Sequence, residues 1–342
     1  MYFLLTSLVC LVLIFLNNKY KFGSDCSKLD RKVHHSSTSR LGGLALYIGF
    51  VVSIYYNSSI PSEIYIYLLV PLSFLITLTT IEDLKQGIPP IVRLIFTGFI
   101  IAILIYEFDL GVANLNIPIL DLFLENYFFS FLFTLLTVLL VTNAFNIIDG
   151  FNGLASGFAM FVLIALLWLS INLGDMQVEE LSKTLLLVVL SFFVFNFPFG
   201  KIFLGDSGAY LLGFLISFLY LYFIEGNSLS YWLALGVLIY PIFDFSYSIY
   251  RRFKNSRISS TVEADNLHLH HLIHKNLINC HYFKNKKHFC NSFTSVLLWI
   301  FSLTSIIPSV IWYDKPLIIF FVIIVFLLLY HILYVFLSNK KQ

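Results

Sequence analysis

The sequence predicts an all-α, polytopic integral membrane protein with about eleven transmembrane helices, and three observations carry that prediction. Hydrophobic residues make up 59% of the 342 residues and charged residues only 12%, against roughly 25% charge in a soluble domain. The mean hydropathy is +0.87. The apolar residues are gathered into runs near the ~20 residues that cross a hydrocarbon core, and no polar stretch between them is long enough for a soluble domain. The chain reads as one integral membrane domain over 1–342.

The first run, 2–16, has no basic segment before it and no small-residue cleavage site after it, so it reads as a retained span. The runs 41–56, 64–81, 91–106, 126–145, 151–172, 182–198, 208–224, 230–250, 291–311 and 317–337 follow. Their connections alternate sides. Nineteen of the 21 Lys and Arg fall on one side, in loops near 17–40, 82–90 (counted to 93), 199–207 and 251–290 and in the tail; only Lys183 and Lys315 fall on the other. Basic loops stay inside, which places the N-terminus in the periplasm and the C-terminus in the cytoplasm. Tyr55, Tyr56, Tyr231, Trp232 and Trp312 then stand at outer ends, as an interfacial aromatic belt does.

With that orientation, the polar clusters that interrupt the apolar pattern share the inner face. Arg40 ends a basic, His-containing segment that runs into Gly42 and Gly43. Glu82, Asp83 and Lys85 follow the third span. Asn143, Asn146, Asp149 and Asn152 lie about the fifth, with a loop near 146–150, and Gly205-Asp206-Ser207-Gly208 precedes the eighth. Asp244 sits near the inner end of the ninth, before Arg251 and Arg252. Asp265, His268, His270 and His271 lie in the long basic loop. Ionisable and amide side chains at span ends mark wet, ligand-binding places.

Residue types suggest the chemistry. Carboxylates with amide oxygens suit Mg²⁺ or Mn²⁺, while His, Arg and Lys supply donors for phosphate oxygens. Together they point to phosphoryl transfer, in which catalysis consists largely of positioning and charge neutralisation. Gly-Asp-Ser-Gly alone could be a turn or a protease nucleophile motif, but the latter needs a partnered His and Asp on another fold. A transporter would carry ionisable groups near mid-membrane and paired repeats. Cys280, Cys290, His281 and His288 match no zinc spacing.

These motifs, in this order over nearly the whole chain, resemble the polyprenyl-phosphate N-acetylhexosamine-1-phosphate transferases. Glu82-Asp83 is similar to that family's acidic pair, Asn143 to Gly150 to its Asn-x-x-Asn-x-x-Asp-Gly motif, 203–208 to its Gly-Asp-Ser-Gly motif, and 265–271 to its His-rich loop. The resemblance implies transfer of a sugar 1-phosphate from a UDP-N-acetylhexosamine to undecaprenyl phosphate, with UMP released and O-antigen, capsule or related glycan synthesis begun. It implies a cleft facing the cytoplasm in a bacterial inner membrane, membrane lipid as partner and no nucleic acid, and it allows a homodimer. Asp206 would be the principal Mg²⁺ ligand and Asp149 a second. Glu82 and Asp83 would orient the lipid phosphate or act as base. Arg40, Lys85, Asn143, Asn146, Asn152, Asp244, Arg251, Arg252, Asp265, His268, His270 and His271 would bind substrate. The same chemistry on UDP-MurNAc-pentapeptide is the alternative. Two positions depart from the pattern: Glu82 stands where aspartate is common, and Asn152 stands where many members have a second aspartate and so is not expected to serve as base.

Overall fold

The computed structural model describes residues 2–21, 23, 38–57, 62–85, 87–254, 267–279 and 287–339. These form α1 (Tyr2–Tyr20), α2 (Gly42–Tyr55), α3 (Ser62–Lys85), α4 (Pro90–Glu107), α5 (Pro118–Leu124), α6 (Tyr127–Ile148) and α7 (Leu154–Leu173), then α8 (Met176–Asn196), α9 (Gly205–Gly226), α10 (Trp232–Lys254), α11 (Leu269–Ile278), α12 (Lys287–Ile311) and α13 (Pro316–Asn339). Among the described residues there is no strand, only an isolated parallel bridge between Ser39 and Ile202. The protein is all-α and polytopic.

Nine helices among the described residues are long and apolar enough to cross a membrane: α1, α3, α4, α6, α7, α9, α10, α12 and α13. The two other expected spans differ. Helix α2 has 14 residues, roughly 21 Å of rise against a core of about 30 Å, and α8 carries Glu179, Glu180 and Lys183 near its start. Two short helices were not expected. Pro118 opens α5 at a position where its missing N–H matters least, and α11 lies within the loop read as basic.

Helix α9 runs through the centre, packed on α2, α3 and α6. Its apolar window is 94% buried, against 22% for α1 and 28% for α13. The sequence explains this: α9 is apolar on every side from Tyr210 to Ile224, and such a helix belongs in a core. Backbones meet closely where α2 crosses its start, since a Cβ on Gly43 would lie 2.0 Å from the Gly208 nitrogen. Small residues allow that approach. Buried hydroxyls of Thr79, Thr134, Thr142, Ser182 and Ser217 donate to carbonyls one turn back, which satisfies them without water.

The polar motifs lie on helix ends more than in loops. Glu82 and Asp83 belong to the last turn of α3, Asn143 and Asn146 to the last turns of α6, and Asp206 to the first turn of α9. The reason is chemical: helix ends leave backbone groups that polar side chains satisfy.

Candidate active site

Residues 38–43 run beside residues 202–204. Phe203 N–H donates to Ser39 O at 2.8 Å, Gly42 N–H to Phe203 O at 3.0 Å and Gly43 N–H to Leu204 O at 2.9 Å. This pairing brings Arg40 to the start of α9. Gly205, at the turn, has φ +74°, and a Cβ there would lie 2.0 Å from the Arg40 carbonyl oxygen. Only glycine fits so close an approach in a left-handed conformation.

The free N–H groups at the start of α9 meet Asp83. Its two carboxylate oxygens accept from Asp206 N–H at 2.8 Å and from Ser207 N–H at 2.9 Å. A carboxylate is the favoured partner of a helix N-terminus, through hydrogen bonding and through the helix dipole. The Asp83 side chain is fully buried, whereas that of Asp206 remains 14% exposed. Of these two acids Asp206 is the one that keeps an open edge, and Asp83 is turned to the protein. Glu82 divides its two oxygens. Its Oε2 accepts from Gly87 and Ile88 N–H at 3.1 and 2.7 Å, closing the turn between α3 and α4.

Two arginines flank Asp206. Arg40 Nη2 lies 3.5 Å from Asp206 Oδ1, and its Nε lies 3.9 Å from Asp83 Oδ1. Arg93 Nη1 pairs with Asp206 Oδ2 and lies 3.9 Å from Glu82 Oε1. Arg93 was not among the residues expected from the sequence. The signal was present, because Arg93 interrupts the apolar run 91–106, and an ionisable residue inside a span marks a site. Tyr210, one turn along α9 from Asp206, donates to Asn143 Oδ1 at 3.1 Å, while Asn143 Nδ2 donates to Leu139 O. Asn146 stands one turn beyond Asn143, half-buried, and Asp149 caps α6.

The Asp149 carboxyl lies by the Gly205 N–H. Burial pushes its pKa well above the ordinary carboxylate value; Arg40 opposes that rise, and Asp206 and Asp83 add to it. Acids so placed form a concentration of negative charge that the two arginines offset in part.

The histidines join from the other side. Asp244, fully buried on α10, accepts from Leu269 N–H at 3.0 Å and pairs with His268 Nδ1 at 2.7 Å, so it caps α11. His268 and His270 stack there with 5.3 Å between their rings, and His271 is tilted against His270 at 4.5 Å. Phe151 packs on His270, His271 and His274. A Cβ on Gly150 would lie 3.5 Å from His270 Nε2, so the histidine helix abuts the loop that carries Asp149. Burial lowers the His270 pKa well below the ordinary imidazole value, opposed by Asp244 and reinforced by His271, His268 and His274. His270 is thus neutral near pH 7.

Several other expected residues are bonded within the frame. Asn152 N–H donates to Asn291 Oδ1 at 2.7 Å, its Nδ2 donates to Pro198 O at 3.0 Å and its carbonyl accepts from Ser295. These contacts hold Asn152, an expected substrate-binding residue, against α12 and the 196–200 turn. Asn196 was not expected; it accepts from Gly153 N–H and donates to Ile202 O, tying that loop to the Asp206 segment. Arg251 donates to Leu267 O at 2.9 Å and to Tyr334 Oη at 2.7 Å, anchoring the start of α11. Arg252 is half-buried beside it and Lys85 is exposed at the end of α3. Asp265 lies outside the described residues.

The arrangement suits a cation and phosphates. Asp206 and Asp149 offer hard oxygen ligands, and Mg²⁺ typically takes one or two carboxylates and completes its shell with water and substrate phosphate. No group of three His, Cys, Asp or Glu among the described residues forms a closed metal cage, as that mode of binding requires none.

A family model described as glycosyl transferase family 4 matches residues 65–224, a stretch that includes Glu82, Asp83, Arg93, Asn143, Asp149 and Asp206. The chain is 32% identical over 254 residues to a probable undecaprenyl-phosphate N-acetylglucosaminyl 1-phosphate transferase of Bacillus subtilis, covering 73% of this chain and 70% of that protein. It is 28% identical over 284 residues to a decaprenyl-phosphate N-acetylglucosaminephosphotransferase of Mycobacterium tuberculosis, covering 73% and 69%. A phospho-N-acetylmuramoyl-pentapeptide-transferase of Clostridium perfringens is 28% identical over 225 residues, covering 62% and 70%.

Proposed function

Because the chain belongs to glycosyl transferase family 4, we propose that it transfers an N-acetylhexosamine 1-phosphate from a UDP-sugar to undecaprenyl phosphate, releasing UMP and starting a lipid-linked cell-surface glycan. The observation that carries this reading is Asp206, partly exposed at the capped start of α9 between Arg40 and Arg93 and near Asp149. The lipid phosphate oxygen forms a bond to the sugar-linked phosphorus as the bond from that phosphorus to the bridging oxygen breaks, and the electron pair leaves with UMP.

Both substrates are anionic, so their repulsion must be offset before they meet. Arg40 and Arg93 supply two fixed positive charges for that purpose. Asp206 and Asp149 are the residues that would hold Mg²⁺ or Mn²⁺, which when bound supplies charge neutralisation and orients phosphate oxygens. A phosphate monoester with a second pKa of about 6 is already ionised near pH 7, so no general base is needed. Asp83 holds Asp206 in place through the helix cap. His270, a neutral group, and His271 hold phosphate or sugar oxygens by hydrogen bonding, and the lipid tail lies among the apolar helices. The clustering of Lys and Arg supports a site on the cytoplasmic face of a bacterial inner membrane.

The test is a transfer assay in membranes with radiolabelled UDP-GlcNAc, UDP-GalNAc and UDP-MurNAc-pentapeptide, undecaprenyl phosphate and Mg²⁺. The expected result is a lipid-linked product with UMP, lost on adding EDTA and regained with Mg²⁺. Release of UDP in place of UMP would show sugar transfer without phosphate and defeat the reading.

A further inference from the structure

The last helix, α13, reaches the histidine helix through two tyrosines. Tyr330 and Tyr334 are four residues apart and so share one face, with their rings stacked at 6.3 Å between centroids. Tyr330, 1% exposed, donates to Asp244 Oδ1 at 2.6 Å. Tyr334 accepts from Arg251 Nη1 at 2.7 Å, and the guanidinium lies 5.7 Å from its ring centroid. Asp244 and Arg251 are about two turns apart on α10. Between them they hold the start of α11: Asp244 takes Leu269 N–H and His268 Nδ1, and Arg251 donates to Leu267 O. Each clasp of α10 on α11 is thus held in turn by a tyrosine of α13.

A buried carboxylate depends on its donors, since no water replaces one that is lost. Asp244 has three donors, and two of them are the groups that fix α11. Helix α11 has ten residues, too few to be stable without its surroundings. Its cap therefore sets where His270 and His271 stand beside Gly150 and Phe151. We propose that Tyr330 is a positioning residue for the transfer reaction: its hydroxyl fixes the Asp244 carboxylate, which caps α11 and orients His268, and so places the histidines against the Asp149 loop. This rests on the proposed reading in which those histidines hold the sugar nucleotide.

The experiment uses the full-length wild type, Tyr330→Phe, His268→Gln and the double variant, reconstituted in nanodiscs with UDP-GlcNAc, or the UDP-sugar the wild type prefers, and undecaprenyl phosphate. The expected result for Tyr330→Phe is a fall in kcat/KM for the sugar nucleotide of about tenfold, the scale of one hydrogen bond to a charged group, with KM for the lipid within about twofold of wild type. The double variant should be no worse than His268→Gln alone, because both changes break one chain of contacts. Kinetics of Tyr330→Phe within about twofold of wild type, or losses that multiply in the double variant, would overturn the proposal. A lowered thermal midpoint with unchanged kinetics would overturn it too. A wild type that transfers no UDP-sugar would instead defeat the proposed function, and this inference with it.

Discussion

The carboxylate of Asp83 receives the backbone N–H groups of Asp206 and Ser207, at 2.8 and 2.9 Å, across 123 residues of chain. One acid of the site is thus the foundation on which another stands. The pair of acids at the end of α3 divides its work: Asp83 holds α9, and Glu82 closes the turn into α4.

That division predicts different behaviour on substitution. Asp83→Ala should lower both the thermal midpoint and kcat, since losing a buried cap costs about 1–2 kcal/mol or more. Asp206→Ala should abolish product without a comparable loss of stability. Thermal unfolding of the purified protein beside the transfer assay decides between them, and an unchanged midpoint for Asp83→Ala would contradict the capping role.

Arg93 should matter as much as any of the motif acids. Removing it in Arg93→Ala should reduce kcat/KM by about a hundredfold, an order of magnitude typical of losing one preorganised charge at a transition state. Arg93→Lys keeps the charge and loses the planar fork, so it should recover part of the activity. Equal activity of Arg93→Ala and wild type would remove Arg93 from the site.

Asn152→Asp tests whether that position binds substrate or serves packing. The substitution replaces the Nδ2 donor with a carboxylate oxygen facing the Pro198 carbonyl, a repulsive contact in a buried place. The expected outcome is a lowered thermal midpoint and no gain in kcat. A faster enzyme of unchanged stability would restore position 152 to the reaction.

His270 gives a pH signature. Its folded pKa lies below its unfolded value because burial disfavours the charged form, so below about pH 6.5 the unfolded chain binds more protons than the folded one. Stability should therefore fall as pH drops through that value. In His270→Gln the loss of thermal midpoint between pH 7 and pH 5 should be smaller; an equal loss would assign the effect to other groups.

Much of this site could be read from residue types, because its acids, amides and histidines interrupt apolar runs where polar groups are out of place. Arg93 was legible by the same logic, as a charge inside a run. Tyr330 and Asn196 were not. A tyrosine in an apolar helix and an amide near the end of one are compatible with many neighbours, and their importance comes from partners 86 and 43 residues away, Asp244 and Gly153.

The sequence by itself determined that the chain is an all-helical membrane protein whose polar clusters share one face, because hydropathy and charge are local properties that the bilayer sorts directly. Only the tertiary structure decided which of those polar residues are bonded within the frame and which keep an exposed edge. That follows from the physics of burial: a carboxylate or amide taken out of water must find donors and acceptors, and whether it finds them in the protein, as Asp83, Asn152 and Asp244 do, or keeps an exposed edge, as Asp206 does, depends on contacts between distant segments.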